Sequence, residues 1–326
     1  MEILTNNEPN RMIVNSNQVT SNSTSFIEAN TKEVTLEHLK RDCIIPVFAK
    51  DNESTISHYQ FINRTMEVVK ELFPDTEPKL PEIRVSHVIK GRIPSAIGKP
   101  AKELKDFEKT IYYERCAFLI EIPSVKEVVN GSELTLSIGG VRAYNQENLY
   151  SRKSLEKFKL FIGFKNLVCT NMCVSTDGFS NQIRISSISE LDRSIDALIN
   201  SYDIDRHKGM MERMNAFKLS EQQFAHLVGK LRMYQYQVKQ NQRDVFHILF
   251  KDSHINHLVK DYYNCPNFKR ESDGSINLWN LYNILTEANK TSYIDSNLER
   301  NVNAYELINM LGDSLQNNES NWFINK

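Results

Sequence analysis

The chain has 326 residues, with 40 Lys and Arg against 41 Asp and Glu and 40% hydrophobic residues. A balance this close to neutral excludes a globally basic coat for DNA. A chain of this size and composition buries a full core, which excludes collagen, a disulfide miniprotein and wholesale disorder, and at roughly 100 to 200 residues per domain it has room for two units.

Residues 1–32 are dominated by Asn, Ser and Thr, and Phe26-Ile27 is almost the only bulky apolar pair after Val14. So little burial does not offset the entropy of ordering, and a disordered tail is expected over 1–32. From Thr35 the pattern changes, with Leu36, Leu39, Ile44, Ile45, Val47 and Phe48 supplying core side chains. The spacing of Phe61, Ile62, Met66, Val69 and Leu72 predicts a helix over 54–72 that stops before Pro74. Pro78 and Pro81 then mark an extended linker.

The middle of the chain reads as strands over 83–89, 111–122, 133–138, 158–164, 167–174 and 183–187. Asn130-Gly131 and Asp177-Gly178 are dipeptides that tolerate positive φ, so both are expected to close tight antiparallel hairpins. In Leu134-Thr135-Leu136-Ser137-Ile138 apolar residues alternate with hydroxyls, which predicts a sheet with a one-sided core. Gly139-Gly140 reads as a bulge or tight bend where the backbone approaches a neighbour closely.

After Ser189 the hydrophobic period becomes about 3.6. Ser220-Glu221-Gln222-Gln223 is a capping-box pattern ahead of the stripe Phe224, Leu227, Val228, Leu231 and Val238. Further helices are expected over 244–263, 276–288 and 295–315, with Asp273-Gly274 in a loop. The expected fold is therefore α+β: an antiparallel sheet with flanking helices over 33–189, followed by a mostly helical C-terminal part over 190–326.

The five cysteines are odd in number and the chain opens without a basic-then-apolar signal pattern. No apolar run approaches the roughly 18 residues of a membrane helix, so the expectation is a cytoplasmic protein with no membrane partner and no disulfide.

The densest local charge lies in 151–165, where Arg152, Lys153, Lys157, Lys159 and Lys165 oppose only Glu156 and Phe158, Phe161 and Phe164 are threaded between them. A cationic strip with exposed rings would track a phosphate backbone and stack unpaired bases; the competing reading turns the rings inward and leaves the lysines as a solvated face. A second basic stretch contains Arg84, Lys90, Arg92, Lys99 and Lys102, with Gly91 and Gly98 making it a flexible arm. Arg142, Tyr144, Asn145, Asn171 and Asp177 are candidates for a polar groove beside the strip, against the reading that they satisfy turns and strand ends.

Other chemistries have weaker patterns. His247, His254, His257 and Asp261 share a helix face, yet Asp252-Ser253 reads as a helix start that breaks the register, and the spacing matches no metal motif. Cys169 and Cys173 lie about 13 Å apart along a strand and are read as small core residues. Asp75 with Glu103-Leu104-Lys105 imitates a metal-dependent nuclease, but 100–110 alternates charge as a turn or short helix does. Phosphate-loop, nucleophile-elbow and His-Glu-x-x-His patterns are absent. No catalytic residue, metal or cofactor is expected.

The phrases Ile138-Gly139-Gly140-Val141-Arg142-Ala143-Tyr144-Asn145, Phe161-Ile162-Gly163-Phe164-Lys165-Asn166, Val168-Cys169-Thr170-Asn171 and Leu278-Trp279-Asn280-Leu281-Tyr282-Asn283, continuing to Ala288-Asn289-Lys290 and Tyr293-Ile294-Asp295, resemble an uncharacterised bacterial family, domain of unknown function 3871. The likeness covers most of the chain from about residue 36. Val168–Asn171 with Thr286-Glu287 is more loosely similar to phage- and plasmid-like proteins. The resemblance implies a mobile-element setting and brings no activity, cofactor or catalytic residue.

The functional expectation is a non-enzymatic nucleic-acid-binding accessory of such an element, favouring single strands, through Arg142, Tyr144, Arg152, Lys153, Lys157, Lys159, Lys165 and Asn171. The first alternative is a protein-interaction or self-association module docking through helices around Trp279, Tyr282, Tyr293 and Tyr305. The second is a metal-dependent nuclease.

Overall fold

The computed structural model describes residues 25–43, 55–96, 98–144, 155–237 and 245–324. Its longest pairing follows from one dipeptide. Asn130 and Gly131 take φ of 49° and 79°, the geometry whose twist matches flanking strands, and they join β5 (Arg115–Val129) to β6 (Ser132–Ala143). An irregularity between Ile122 and Lys126, around Pro123, bends β5 where proline removes a ladder donor.

On this hairpin the rest of the sheet assembles antiparallel. β2 (Glu82–Val85) pairs with β5, β1 (Lys32–Glu33) with β2, and β7 (Glu156–Asn166) with β6. β8 (Met172–Cys173) and β9 (Phe179–Ile185) both add to the outer edge of β7. The Asp177-Gly178 turn therefore closes no hairpin: it carries the chain along one edge, with the Ile162 N–H donating to the Gly178 carbonyl at 2.8 Å. The strand expected over 167–174 shrinks to β8, because Thr170 at φ 57° turns the chain and puts Cys169 outside the ladder. A separate hairpin, β3 (Val88–Arg92) with β4 (Lys109–Tyr113), stands outside this sheet, and β10 (Lys218–Leu219) pairs with β11 (Ile276–Asn277).

Gly139 and Gly140 do not form a bulge. They lie in regular register mid-strand, and the expected close approach comes from the sides. A Cβ at Gly139 would strike the Phe118 carbonyl and the Phe161 ring; one at Gly140 would strike the Phe61 ring and the Lys159 carbonyl.

Helices cover both faces of the sheet. α1 (Leu36–Arg41) is a short capped turn, and α2 (His58–Leu72) starts at a full capping box between Ser57 and Gln60. Phe61, Ile62 and Val69 of α2, with Leu191, Ile195 and Leu198 of α3 (Ile188–Ser201), meet Phe118, Ile138, Phe158, Ile162 and Phe164. The Phe61 ring lies 5.0 Å from Phe118 and 4.8 Å from Phe158, both edge-on. The opposite face, formed by Ala117, Leu119, Val141, Phe161, Met172 and Val174, is closed by Phe26 and Ile27 and by Ile294, Leu298 and Val302 of α8 (Ile294–Gln316).

Two expectations change. The sheet is buried on both sides, not one, and residues 25–32 of the expected tail are packed, because Phe26 and Ile27 dock while the Glu28 and Ala29 N–H groups bond the Lys290 carbonyl; the expectation for 1–24 lies outside the described residues. Each such buried aromatic or branched side chain gains about 1.5–3 kcal/mol, enough to order a few residues.

α4 (Ile204–Met214), α5 (Glu221–Tyr234), α6 (Asp252–Asn264) and α7 (Leu278–Asn289) complete the helical part. The Ser220–Gln223 capping box is present as read; the helix expected from residue 244 starts instead at Asp252. Nearly every residue of α7 is buried, including Trp279 and Tyr282, so it is the central helix and shares one continuous core with the sheet. No helix among the described residues is long and apolar enough to cross a membrane.

Candidate functional site

The central strip is folded into the interior. Because both faces of β7 are covered, its alternation has no wet side: Phe158, Phe161 and Phe164 are all buried, and so are Lys159 and Lys165. Each buried cation has found an acid, as burial of charge requires. Lys159 bonds the Asp295 carbonyl and Glu299 of α8. Lys165 reaches Glu121 at 2.8 Å and Glu82 at 3.0 Å. Burial pushes the Lys165 pKa down, but the two carboxylates outweigh it and hold the ammonium above its ordinary range.

Arg142 is buried and pairs with Glu156, with its guanidinium also bonded to the Ile56 carbonyl and lying 4.6 and 4.4 Å from the Tyr144 and Phe158 ring centres. Glu156 in turn accepts from the Ile56 N–H at 3.1 Å. His58 stacks on Tyr144 at 4.4 Å and bonds the Tyr113 carbonyl; burial, reinforced by Arg142, pushes its pKa down to about 3.

Asn171 lies elsewhere, donating to the Asn283 carbonyl at 2.8 Å, and Asp177 accepts the Asp203 N–H at the start of α4. The polar groove therefore does not assemble. Of the strip, Lys157 is half-buried, opposite Arg184 of β9. Asn145, Arg152 and Lys153 lie outside the described residues.

The phrases Val168–Asn171 and Leu278–Lys290 meet in a buried polar seam that seats α7 on the β7–β8 turn. Asn166 bonds the Asn283 amide at 2.9 Å, and Lys290 reaches the Cys169 carbonyl, Thr170 and Glu287. Asn289, Asn297 and Asn301 continue it between α7 and α8. Hydrogen-bonded seams of this kind fix one packing of two parts.

The other constellations also resolve. Trp279, Tyr282 and Tyr305 are interior, leaving Tyr293 exposed, so the expected helical docking face is used within the chain. His247 precedes α6 and meets the Tyr234 hydroxyl at 2.8 Å, while His254 is buried against Ser292 rather than on the surface. Asp75 is in the turn after α2, and Glu103 and Lys105 are on or beside short 3-10 turns, none on a strand. No group of three His, Cys, Asp or Glu able to hold a metal occurs among the described residues.

The second basic stretch has a different fate. Register places Val88, Lys90 and Arg92 opposite Tyr113, Ile111 and Lys109 on one face of the β3–β4 hairpin. Three cations thus share a face, and that face lines a cleft of about 650 Å³ whose apolar floor is Ala101, Leu104 and Ile111.

The connecting loop is latched rather than loose. Glu108 is buried, takes Lys99 and accepts the Lys105 N–H at 2.9 Å, while Arg92 bonds the Lys99 carbonyl and the Ile93 N–H bonds the Glu108 carbonyl at 3.0 Å. The bond from Lys99, with the Lys105 N–H, pushes the Glu108 pKa down, so the latch is ionised. A Cβ at Gly91 would lie 2.7 Å from Thr110 Oγ1, so a larger residue there would force the buried Thr110 side chain to shift.

Asp42, the acid of the cleft wall, is committed to His38 at 2.8 Å, and Lys109 leans on Asp106 at 2.7 Å. Among the described residues Lys90 and Lys102 make no ion pair, and Phe107 is 71% exposed with the Lys105 ammonium 5.8 Å from its ring. Cations over an aliphatic floor suit a phosphate chain, and an exposed aromatic in the connecting loop suits an unstacked base. The mixed charge after Glu103 masked Lys105, Phe107 and Lys109 in the sequence; only the structure shows that Glu108 is taken by Lys99 and Asp106 by Lys109.

Neither a curated protein nor a solved structure matches the chain. A family described as "Domain of unknown function, B. Theta Gene description (DUF3871)" matches residues 7–324, nearly the whole length, and the chain belongs to this family.

Proposed function

We propose that this protein is a non-enzymatic, cytoplasmic nucleic-acid-binding accessory of a bacterial mobile element, favouring single strands, and that the β3–β4 hairpin rather than the β6–β7 strip makes the contact. The observation that carries the reading is the convergence of Lys90, Arg92 and Lys109 on one cleft with an apolar floor. The looser likeness of Val168–Asn171 and Thr286-Glu287 to phage- and plasmid-like proteins supports the mobile-element setting. Three phosphate contacts release about two counterions from a single strand, so affinity falls about tenfold to twentyfold between 50 and 200 mM salt.

The test is fluorescence anisotropy of a labelled oligothymidylate across that salt range. Wild type binds with this salt slope, and Lys90→Ala/Arg92→Ala/Lys109→Ala loses most of the affinity and of the slope. No wild-type binding at 20 to 50 mM salt would remove the proposal.

A second reading, protein assembly, has its own observation. Leu80 is 86% exposed beside Pro81 and borders a groove of about 620 Å³ walled by Val34, Leu36 and Tyr59. A concentration-dependent mass abolished by Leu80→Lys supports it; a monomer at every concentration, with no co-purified partner, ends it.

A further inference from the structure

Outside the hairpin, one buried cation lacks a counter-charge. Arg300, on α8, is only 8% exposed, yet no carboxylate lies within ion-pair distance of it among the described residues. Its Nε donates to the Leu249 carbonyl at 2.9 Å and its Nη1 to Ser296 Oγ at 2.7 Å, both neutral acceptors. Among the described residues its Nη2 has no bonded partner, and the residue lines a cleft of about 550 Å³.

Every other buried guanidinium or ammonium described above is answered by an acid. Here burial lowers the guanidinium pKa, and Glu299 and Asp295 offset only part of that cost. Breaking or omitting one half of a buried ion pair is expensive, so an unanswered arginine held in place marks a position for an external anion.

The walls of the cleft are rigid. Asn303, one turn along α8, donates to the His247 carbonyl at 2.8 Å and accepts the Leu249 N–H at 2.9 Å, strapping residues 247–249 to the helix that carries Arg300. Lys251, exposed and without an ion pair, stands on the rim, and Ser296 lies in the first turn of α8, where the helix dipole is positive. Glu299, the one carboxylate among the lining residues, is paired with Lys159 through Oε1, and its Oε2 is buried without a bonded partner among the described residues.

We infer that this cleft binds the phosphate group of a phosphate ester, with Arg300 as the anchored donor, Ser296 as its support and Lys251 as the rim cation. A planar guanidinium with a free edge suits two phosphate oxygens, and a second cation suits a dianion better than a carboxylate. The same chemistry is offered by a free ester or by the terminal phosphate of a nucleic-acid strand. The site is separate from the β3–β4 cleft and does not depend on that reading.

The test is thermal unfolding and calorimetric titration of the full chain with inorganic phosphate, adenosine 5′-monophosphate, and a short oligonucleotide carrying either a 5′-phosphate or a 5′-hydroxyl, at matched ionic strength. A ligand that binds only the folded form raises the midpoint as its concentration passes Kd. Phosphate-bearing probes raise it saturably. An oligonucleotide advantage that requires the 5′-phosphate identifies a strand end as the source, and equal binding of the mononucleotide identifies a free ester.

Arg300→Gln weakens the binding about tenfold or more, the worth of one charged hydrogen bond. Lys251→Ala, on the exposed rim, weakens it about twofold to fivefold without touching the fold, and decides the matter if Arg300→Gln does not fold. The response persists in the triple hairpin variant, so failure of one site is distinguishable from failure of the other. Absence of any saturable shift with phosphate-bearing probes, or wild-type binding by Lys251→Ala and by folded Arg300→Gln, overturns the proposal.

Discussion

Two basic regions of similar local charge end in opposite places. Around β6 and β7, Arg142, Lys159 and Lys165 are sunk into ion pairs with Glu156, Glu299, Glu82 and Glu121. On the β3–β4 hairpin, Lys90 and Lys102 make no ion pair among the described residues, and Arg92 and Lys109 share a cleft with Lys90. The difference is coverage. β7 is sandwiched between α2 and α3 on one side and α8 with Phe26-Ile27 on the other, whereas the hairpin stands outside the sheet. Local charge density says where cations are abundant; the count of covered faces decides whether they hold the fold together or meet a ligand.

The strongest way to sharpen this contrast is Arg142→Ala. It strands the Glu156 carboxylate in the core and should cost about 3–5 kcal/mol in urea unfolding; a loss under about 1 kcal/mol would mean the strip is not structural. Lys165→Ala leaves Glu121, 12% exposed at its side chain, without its more buried ammonium, although Lys79 still reaches it at 2.6 Å. A smaller loss of about 1–3 kcal/mol is expected, read the same way.

Acid pH probes the strip's surroundings through its buried histidines. His58 and His207 are both held neutral, with burial pushing each down to about 3 from an ordinary 6.5. The unfolded chain then binds more protons than the folded one between about pH 6.5 and pH 3, so stability falls as pH drops through that window, by about 1 kcal/mol per pH unit for each histidine. Replacing His207 with Gln should flatten the slope of midpoint against pH, and an unchanged slope would contradict the assignment. The smallest effect belongs to the hairpin: Lys90→Ala/Arg92→Ala/Lys109→Ala removes only the Arg92 bond to the Lys99 carbonyl and the exposed Lys109–Asp106 pair and should cost about 1 kcal/mol or less, because those side chains answer no buried acid.

Local signals were legible where chemistry is local. Asn130-Gly131 and the Ser220–Gln223 box act over four residues or fewer, and both stand as read. The one-sided sheet failed because Thr135 and Ser137, polar in pattern, are buried under elements from both chain ends. Nothing in this stretch announces that Phe26 and Leu298 will close that face of the sheet. The same long-range coverage removed the ring ladder Phe158, Phe161 and Phe164 from solvent. The arm was legible as a basic stretch, but its shared face depends on the register of β3 against β4, which the intervening 16 residues conceal. Arg300 was invisible, since an unpaired cation is recognisable only when its neighbours are known.

The central claim, that the hairpin and not the sheet meets nucleic acid, is tested most directly by photo-crosslinking a 5-iodouracil oligonucleotide to the wild-type protein at low salt and mapping adducts by mass spectrometry. The account requires adducts on Phe107, lost in the triple hairpin variant. Adducts confined to Tyr144, Phe158 or Phe161, or an adduct pattern indifferent to the hairpin substitutions, would contradict it.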